Sequence, residues 1–562
     1  MRLKLWRSGV VALASLAVPI VLAGCSPAGG VAHRAVQVSR LASDQTIRFP
    51  INSDIGTFDP AQIDSVVDAS FATNIFDGLL KFNNQYKIVP DIASSLPTVS
   101  SNGLIYTFHL RHDARFWNGD PVTASDFIFS WDRAASGQGA FANELSSIVG
   151  FDAVSAPHAT LTQMSGLSAP SPHTLVVTLT APSGLFLTQV ADFAIATAVV
   201  DPKVVSADPT TWWTVPGTLV GSGPYRMTAR TPGKSLTFTA VKNWWGSPKP
   251  TVKTIQVTIM ASLTTAIAKY EQGGFDLIGY GGQSSLPPSE VLRIKRGPKR
   301  EASQLHTYPL DTSFWVEFNF KTGPFTGLTG PGEELRRAFS LAIDRKQLIA
   351  VACEGGLTCS EETGGVISRG LVGYLGNNTN PLDKFDPSEA RRLLHKADPT
   401  GSKTRNLTFV IDVGEFNATV VSNLQSQWQK NLGVRVNIQT QSTQQYFAGQ
   451  LSFKYPLSEG GWQADYNNPY DWFTNLWDCG AGSSENGYCN PQVDALAQKA
   501  VKLPLSEGIP LYHKAERLMI DDAAYAPLIY LVGQYLVKPY VRGVGENNFV
   551  AYSWVSLKVL KH

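Results

Sequence analysis

Charged residues are scarce in this chain. Asp, Glu, Lys and Arg make up 16% of 562 residues, against about 25% in an average globular protein. Neither sign dominates, since 47 Lys and Arg face 45 Asp and Glu. That balance excludes a charge-rich disordered protein and the broad basic face that nucleic-acid binding needs. Cysteine is also scarce, at five. After the N-terminal leader no apolar run reaches the roughly 18 residues that suggest a membrane helix. Gly and Pro, at 48 and 34, follow no repeat, which excludes collagen-like and low-complexity architectures. Gly-x-Ser-x-Gly and His-Glu-x-x-His are both missing, so two motif-level signs of an exported hydrolase are gone. A catalytic triad is defined by geometry and not by order, so an enzyme stays an alternative at this point.

The chain does have length enough for two to four domains at roughly 100–200 residues each. Its first segment is an address. Arg2, Lys4 and Arg7 precede an apolar run from Val10 to Val21, which is too short for a membrane helix and right for a signal peptide. Leu22-Ala23-Gly24-Cys25 follows and resembles the bacterial lipobox, in which cleavage leaves the cysteine to be acylated. The expectation is a leader at 1–24, lipidation at Cys25 and a small, polar tether over 25–44. The other cysteines are Cys353, Cys359, Cys479 and Cys489. Export favours two disulfides, and the short spacings favour Cys353–Cys359 and Cys479–Cys489. A four-cysteine zinc site is the rival, but five and nine intervening residues suit zinc poorly, since it prefers about two to four.

Strand and helix patterns alternate along the rest. Thr46–Ile51, Ile105–Leu110, Ser235–Lys242, Thr254–Met260 and Ser313–Phe320 read as strands. Val66–Leu80 has apolar residues at helical spacing, and Leu263–Tyr270 and Gly332–Ile343 read as helices. Thr123 with Asp126 makes a near capping box for a helix that buries Phe127, Ile128 and Trp131. Asp386-Pro387-Ser388-Glu389 opens another helix. Leu407–Val413, Val421–Leu432 and Val434–Thr440 make a strand, helix, strand unit. Such alternation predicts an α/β fold with mixed sheets. Gly233-Lys234-Ser235 imitates a phosphate loop, but Thr228 holds the place of the first glycine and a strand follows where a helix is required. His109 and His112 read as residues of a strand motif and not as ligands.

Several motifs occur in a set order. Ile105-Tyr106-Thr107-Phe108-His109-Leu110-Arg111 leads into Phe116-Trp117-Asn118-Gly119-Asp120-Pro121-Val122-Thr123-Ala124-Ser125-Asp126-Phe127. Around it stand Asn74 to Leu80, Val89 to Ala93, Gly221 to Tyr225, Asn243 to Gly246, Leu335 to Ala338, Ala342 to Arg345, Gly461 to Tyr466 and Ala526 to Leu528. Together they resemble the extracellular solute-binding proteins of family 5, the oligopeptide, dipeptide and nickel receptors of ABC importers. The resemblance runs from about Thr46 to the C-terminus.

It implies a bilobal, type II periplasmic-binding-protein-like fold with a discontinuous first lobe at 45–72, 217–311 and 534–562. An extra subdomain fills 73–216 and the second lobe 312–533, with strands crossing between lobes as a hinge. It implies a binding protein and not an enzyme, with no cofactor, metal or nucleic acid. The chain is expected to be monomeric, extracytoplasmic and anchored to the membrane by its lipid, with a short peptide and an ABC permease as partners.

A receptor for mixed peptides must hold what all peptides share: backbone amides, the α-ammonium and the terminal carboxylate. By similarity to the oligopeptide receptors, Asp465 holds the ammonium. Gly461 and Gln463 offer backbone groups on one side, and Asp64 and Val66 on the other. Trp462 walls a pocket, Glu317 and Asn319 face the cleft, and Phe141 is an aromatic neighbour. Asp465 also precedes Tyr466-Asn467-Asn468-Pro469, where an aspartate can serve simply as a turn cap. Two positions depart from the pattern. Glu459 and Asn417 stand where the oligopeptide receptors carry basic residues, and an acid repels a terminal carboxylate. Three readings stay open: a peptide whose end lies elsewhere, a non-peptide ligand such as a sugar, porphyrin or metal chelate, or a regulatory lipoprotein.

Overall fold

The strand Thr46–Ile51 alternates, with Ile47, Phe49 and Ile51 buried. It runs parallel to Thr254–Ile259, which is followed antiparallel by Ser235–Ala240 and Tyr225–Thr231. Trp554, near the C-terminus, lies among Phe49, Phe71, Tyr225 and Phe238, with ring centroids 5.2 to 6.2 Å away. Its backbone N–H donates to Asn74 Oδ1 at 2.8 Å. One core is thus assembled from three distant stretches of chain. The computed structural model describes residues 40–83, 85, 87–137, 139–191, 196–279, 286–413, 418–480, 486–545 and 553–562. The leader, Cys25, most of the tether and Asn417 lie outside the described residues. Leu41 bridges Leu560, and Ala42 N–H donates to Val559 O, so the last residues of the stretch expected to be tether are part of the fold.

A second core spans residues 61–199. Its sheet orders Thr98–Val99, Ile105–His109, Thr174–Thr178 and Leu167–Ser171. The helix Ala124–Gly137 packs on it through Phe127 and Trp131, while Ile128 is only half-buried. Asp126 reaches back to accept from Thr123 N–H (2.8 Å) and Oγ1–H (2.9 Å), the reciprocal half of a capping box. The helix expected to run to Leu80 stops at Ile75, because Phe76 is extended. Leu79 and Leu80 are buried in this second core and not on the helix face, Leu79 at a bend and Leu80 opening the strand Leu80–Phe82. Gly233 sits at positive φ in a hairpin between two strands, so the phosphate-loop imitation is a turn.

The third core spans residues 314–529. Its sheet contains two long strands, Leu305–Phe318 of 14 residues and Tyr525–Val537 of 13. At about 3.4 Å per residue each spans roughly 45 Å. Tyr535 belongs to the first core, while Trp315 and Tyr525 belong to the third. These antiparallel strands therefore connect the cores, and their register breaks between Pro309 and Ser313. Thr408–Asp412 and Asn437–Gln441 pair in parallel across the helix Ala418–Leu432, as the pattern of that unit requires. Asp386 caps Pro387–Ala397 by accepting from Glu389 N–H at 3.1 Å. Cys353 is joined to Cys359 and Cys479 to Cys489, so none of the four is a zinc ligand.

Two arginines of the sequence motifs are core struts. The Arg345 guanidinium, fully enclosed, donates to the carbonyls of Pro527, Ser340, Ile343 and Asp383 and to Ser340 Oγ. Arg336 donates likewise to five carbonyls and lies 4.2 Å from the Phe320 ring centroid. Nearby, Glu516 is fully buried, and burial pushes its carboxyl up to about 8. An unfolded glutamate ionises near 4.3. Between about pH 4.3 and 8 the native chain keeps a proton that the unfolded chain has released. Stability is therefore expected to fall as pH rises through that window, by up to about 1.4 kcal/mol per pH unit, and to level off above it. Urea unfolding from pH 5 to 8 checks this against Glu516→Gln, which lacks the titration. Parallel pH slopes for the two proteins count against it.

Candidate functional site

The strand Leu457–Gln463 pairs antiparallel with the connecting strand Leu305–Phe318, Thr312 opposite Gln463 and Phe318 opposite Leu457. Two glycines allow the close approach. A Cβ on Gly460 would fall 2.2 Å from the Trp315 indole nitrogen, and one on Gly461 2.5 Å from the Phe314 ring. The register decides which backbone groups stay open. At the two ends of the ladder, Ala464 N–H donates to Asp311 O and Asn319 N–H to Pro456 O, both at 3.1 Å. Bonded pairs alternate in such a ladder, so the even-numbered residues of 457–463 face the connecting strand. Glu459, Gly461 and Gln463 direct N–H and C=O to the other side. There the parallel strand Thr408–Asp412 pairs only as far as Ser458. Among the described residues no strand pairs with that side of Gly461 and Gln463, which lie on an open sheet edge, half-buried and exposed respectively.

Asp465 ends this edge. Solvent reaches its side chain, yet burial raises its carboxyl above the ordinary range, and no cation among the described residues offsets that. It is not a turn cap. Asn468 Oδ1 accepts from Tyr470 N–H, and Asp471 holds the loop. Asp471 Oδ2 accepts from Trp462 Nε1–H (2.9 Å) and from Asp465 N–H (3.0 Å), and its Oδ1 accepts from Asn475 Nδ2–H (2.7 Å). Asp471 is fully buried, and burial followed by the nearby Asp465 charge raises its carboxyl well above the usual range. One carboxylate therefore orients both the half-buried Trp462 and the Asp465 backbone. The sequence signal for Asp471 was slight: an acid two residues after Pro469, at the start of the short helix Tyr470–Trp472. Beneath the edge, Gln463 hydrogen-bonds Asp311, whose carboxyl burial pushes up to about 7.

The model for bacterial extracellular solute-binding proteins, family 5 Middle, matches residues 87–484. The chain belongs to this family. It is 26% identical over 533 residues to the periplasmic murein peptide-binding protein MppA of Escherichia coli, covering 93% of this chain and 94% of that one. It is 26% identical over 573 residues to the periplasmic oligopeptide-binding protein OppA of the same organism, covering 99% and 98%. Among solved structures, the unliganded open form of MppA superposes with a TM-score of 0.82 at 24% identity, over 93% of this chain and 99% of that one. The two-lobed fold is thus that of the type II periplasmic binding proteins, and the family and these relatives are solute-binding proteins, not enzymes.

Within this family-5 frame the remaining expected residues fall in different places. Asp64 and Val66 are both exposed, on either side of Ser65, which caps the helix Val66–Ile75 by accepting from Asp68 N–H at 3.1 Å. No hydrogen bond or ion pair among the described residues joins them to the 457–465 segment. Phe141 is half-buried against the first and second cores. Glu317 and Asn319 were expected to face the cleft, and both are engaged within the fold. Glu317 is buried and accepts from Gln450 Nε2–H at 2.9 Å. Asn319 is also buried. Its Nδ2 donates to Phe453 O and Tyr455 O, and its Oδ1 accepts from Lys321 and Thr322 N–H. Every polar atom of that side chain is spent on the turn. Glu459 is buried too, its carboxylate accepting from Asp412 N–H at the end of the neighbouring strand. His112 lies against His173, ring centroids 4.0 Å apart and planes tilted by 48°. Among the described residues no group of three His, Cys, Asp or Glu is placed to hold a metal ion.

Proposed function

We propose that this chain is the lipid-anchored, extracytoplasmic binding component of an ABC importer, capturing short peptides between its lobes and delivering them to a membrane permease. The observation that carries this reading is the free edge at Gly461 and Gln463, which ends at the uncompensated acid of Asp465. A free edge offers N–H and C=O to an extended chain whatever its side chains. An acid that burial has raised, with no cation beside it, gains most from a bound ammonium. A peptide amino terminus supplies both partners at once. The printed descriptions of MppA and OppA as peptide-binding proteins support the same ligand class. In this reading Trp462 walls the first pocket, Asp64 and Val66 approach from the first lobe, and Phe141 lies beside the entrance. Lipidation at Cys25 supplies the anchor, and no described helix is long and apolar enough to span a membrane. The three cores support lobes at 45–72, 217–311 and 534–562 and at 312–533, with the subdomain at 73–216.

Thermal unfolding with a pool of short peptides tests the function. Saturating ligand at about 100 times its Kd adds about 2.7 kcal/mol. A rise in Tm is expected with free-amino peptides and not with their N-acetylated forms. Equal shifts with both remove the ammonium from the reading.

A further inference from the structure

We infer that the loop closed by the Cys353–Cys359 disulfide is a strap across the hinge, rooted in the third core and seated at its tip on a cluster beside the first, which limits how far the connecting strands bend. The weak point of those strands is their register break. Pro309 stands opposite Val532 and Ser313 opposite Tyr530, so Leu310, Asp311 and Thr312 face Leu531 alone. A break of this kind locally disrupts the ladder and bends the strand. A hinge needs only a few such residues to absorb its motion.

The loop reinforces this place from the other edge of Tyr525–Val537. Cys359 pairs with Leu531, Ser360 with Tyr530 and Glu361 with Ile529. Val532 N–H donates to Thr358 O at 2.9 Å, and the buried Gln534 side chain donates from Nε2 to Leu357 O at 2.8 Å. Both cysteines are buried members of the third core. The half-buried Leu357 packs instead against a cluster made of residues 266–294 and Leu536. The loop therefore holds both sides of the break at once.

It is also stiff. Glu354, Gly355 and Gly356 follow one another at positive φ, and the N–H groups of Gly356, Leu357 and Thr358 all donate to Cys353 O. Thr358 Oγ1–H donates to Glu354 Oε2 at 2.6 Å. The disulfide closes the turn over five intervening residues. A hinge bend must either carry this closed loop with it or lift Leu357 from its cluster. A narrower range of unliganded arrangements leaves less to be ordered when the lobes close.

Single-molecule energy transfer on the purified protein tests the strap. Dyes are carried on azide-bearing residues at the exposed positions Arg226 and Lys430, in the strand Tyr225–Thr231 and the helix Ala418–Leu432, which leaves every cysteine native. No ligand is needed, so the result stands apart from the peptide reading. The distribution of distances is expected to widen in Cys353→Ala with Cys359→Ala, and also in Leu357→Ala, which keeps the disulfide. Cys479→Ala with Cys489→Ala is the comparison, since that bridge lies by the helix Pro491–Ala500. Each cysteine pair is expected to lower Tm by about 5 °C, but only the first to widen the distribution. Equal widening with both pairs, or a loss of Tm with no widening for the first, reduces the loop to an ordinary staple and overturns the strap. An unaltered width in Leu357→Ala overturns it whatever the cysteine variants do.

Discussion

Replacing Asp465 with alanine is expected to weaken the binding of free-amino peptides by about 2–5 kcal/mol, roughly thirtyfold to several thousandfold in Kd, because the ligand ammonium is left enclosed with no counter-charge. Solvent reaches the carboxylate while burial already raises it. Lobe closure over a ligand removes water and strengthens the charged hydrogen bond. Acetylating the peptide is expected to cost the unaltered protein about as much, and the Asp465→Ala protein little, since the same pair is broken from either side. Calorimetric titration of the four combinations measures this. If acetylation costs both proteins equally, Asp465 and the ammonium are not partners, however large the loss on substitution. Fluorescence adds a further check, because Trp462 shares the Asp471 carboxylate with the Asp465 backbone.

Arg345→Met is expected to destabilise the second lobe by about 3–5 kcal/mol, as when one partner of a buried charged network is removed. Four carbonyls and a hydroxyl lose their donor at once, in a buried core where an unpaired polar group is costly. For a lobe of this size that is roughly a 10 °C drop in Tm. Arg345→Lys is expected to recover only part of the loss. One ammonium carries three donors, and it lacks the planar fork that reaches carbonyls on separate segments. Calorimetric scans of both variants check the order. A Tm within 2 °C of the unaltered protein for Arg345→Met would show that the carbonyls find other donors.

Local pattern was a reliable guide wherever a few neighbouring residues decide the outcome. The Asp386 cap, the Thr123–Asp126 box and the 408–441 strand, helix, strand unit all follow from side chains within four residues or from one period of alternation. The helix from Val66 shows where such reading overreaches. Leu79 continues the helical spacing but is buried in a different core, since the extended Phe76 has already turned the chain. Glu317 and Asn319 lie on and just beyond a strand that does pass the site. Which way each points depends on Gln450, Phe453 and Tyr455, more than 130 positions away. Asp471 escaped notice for the same reason in miniature: its three donors come from a strand, a turn and a helix that meet only after folding.

The amino-acid sequence by itself determined the solute-binding family of the chain, its α/β character, the pairing of its four later cysteines by proximity, and the glycine, tryptophan and aspartate that mark the 461–465 segment. These depend on composition, short spacing and residue type. Only the tertiary structure decided which backbone groups of that segment are open. The answer turns on parity: Thr312 opposite Gln463 leaves Gly461 and Gln463 facing outward, and a one-residue slip would have turned them inward against the connecting strand. Parity is set by pairing between residues some 150 positions apart, and no local pattern carries it.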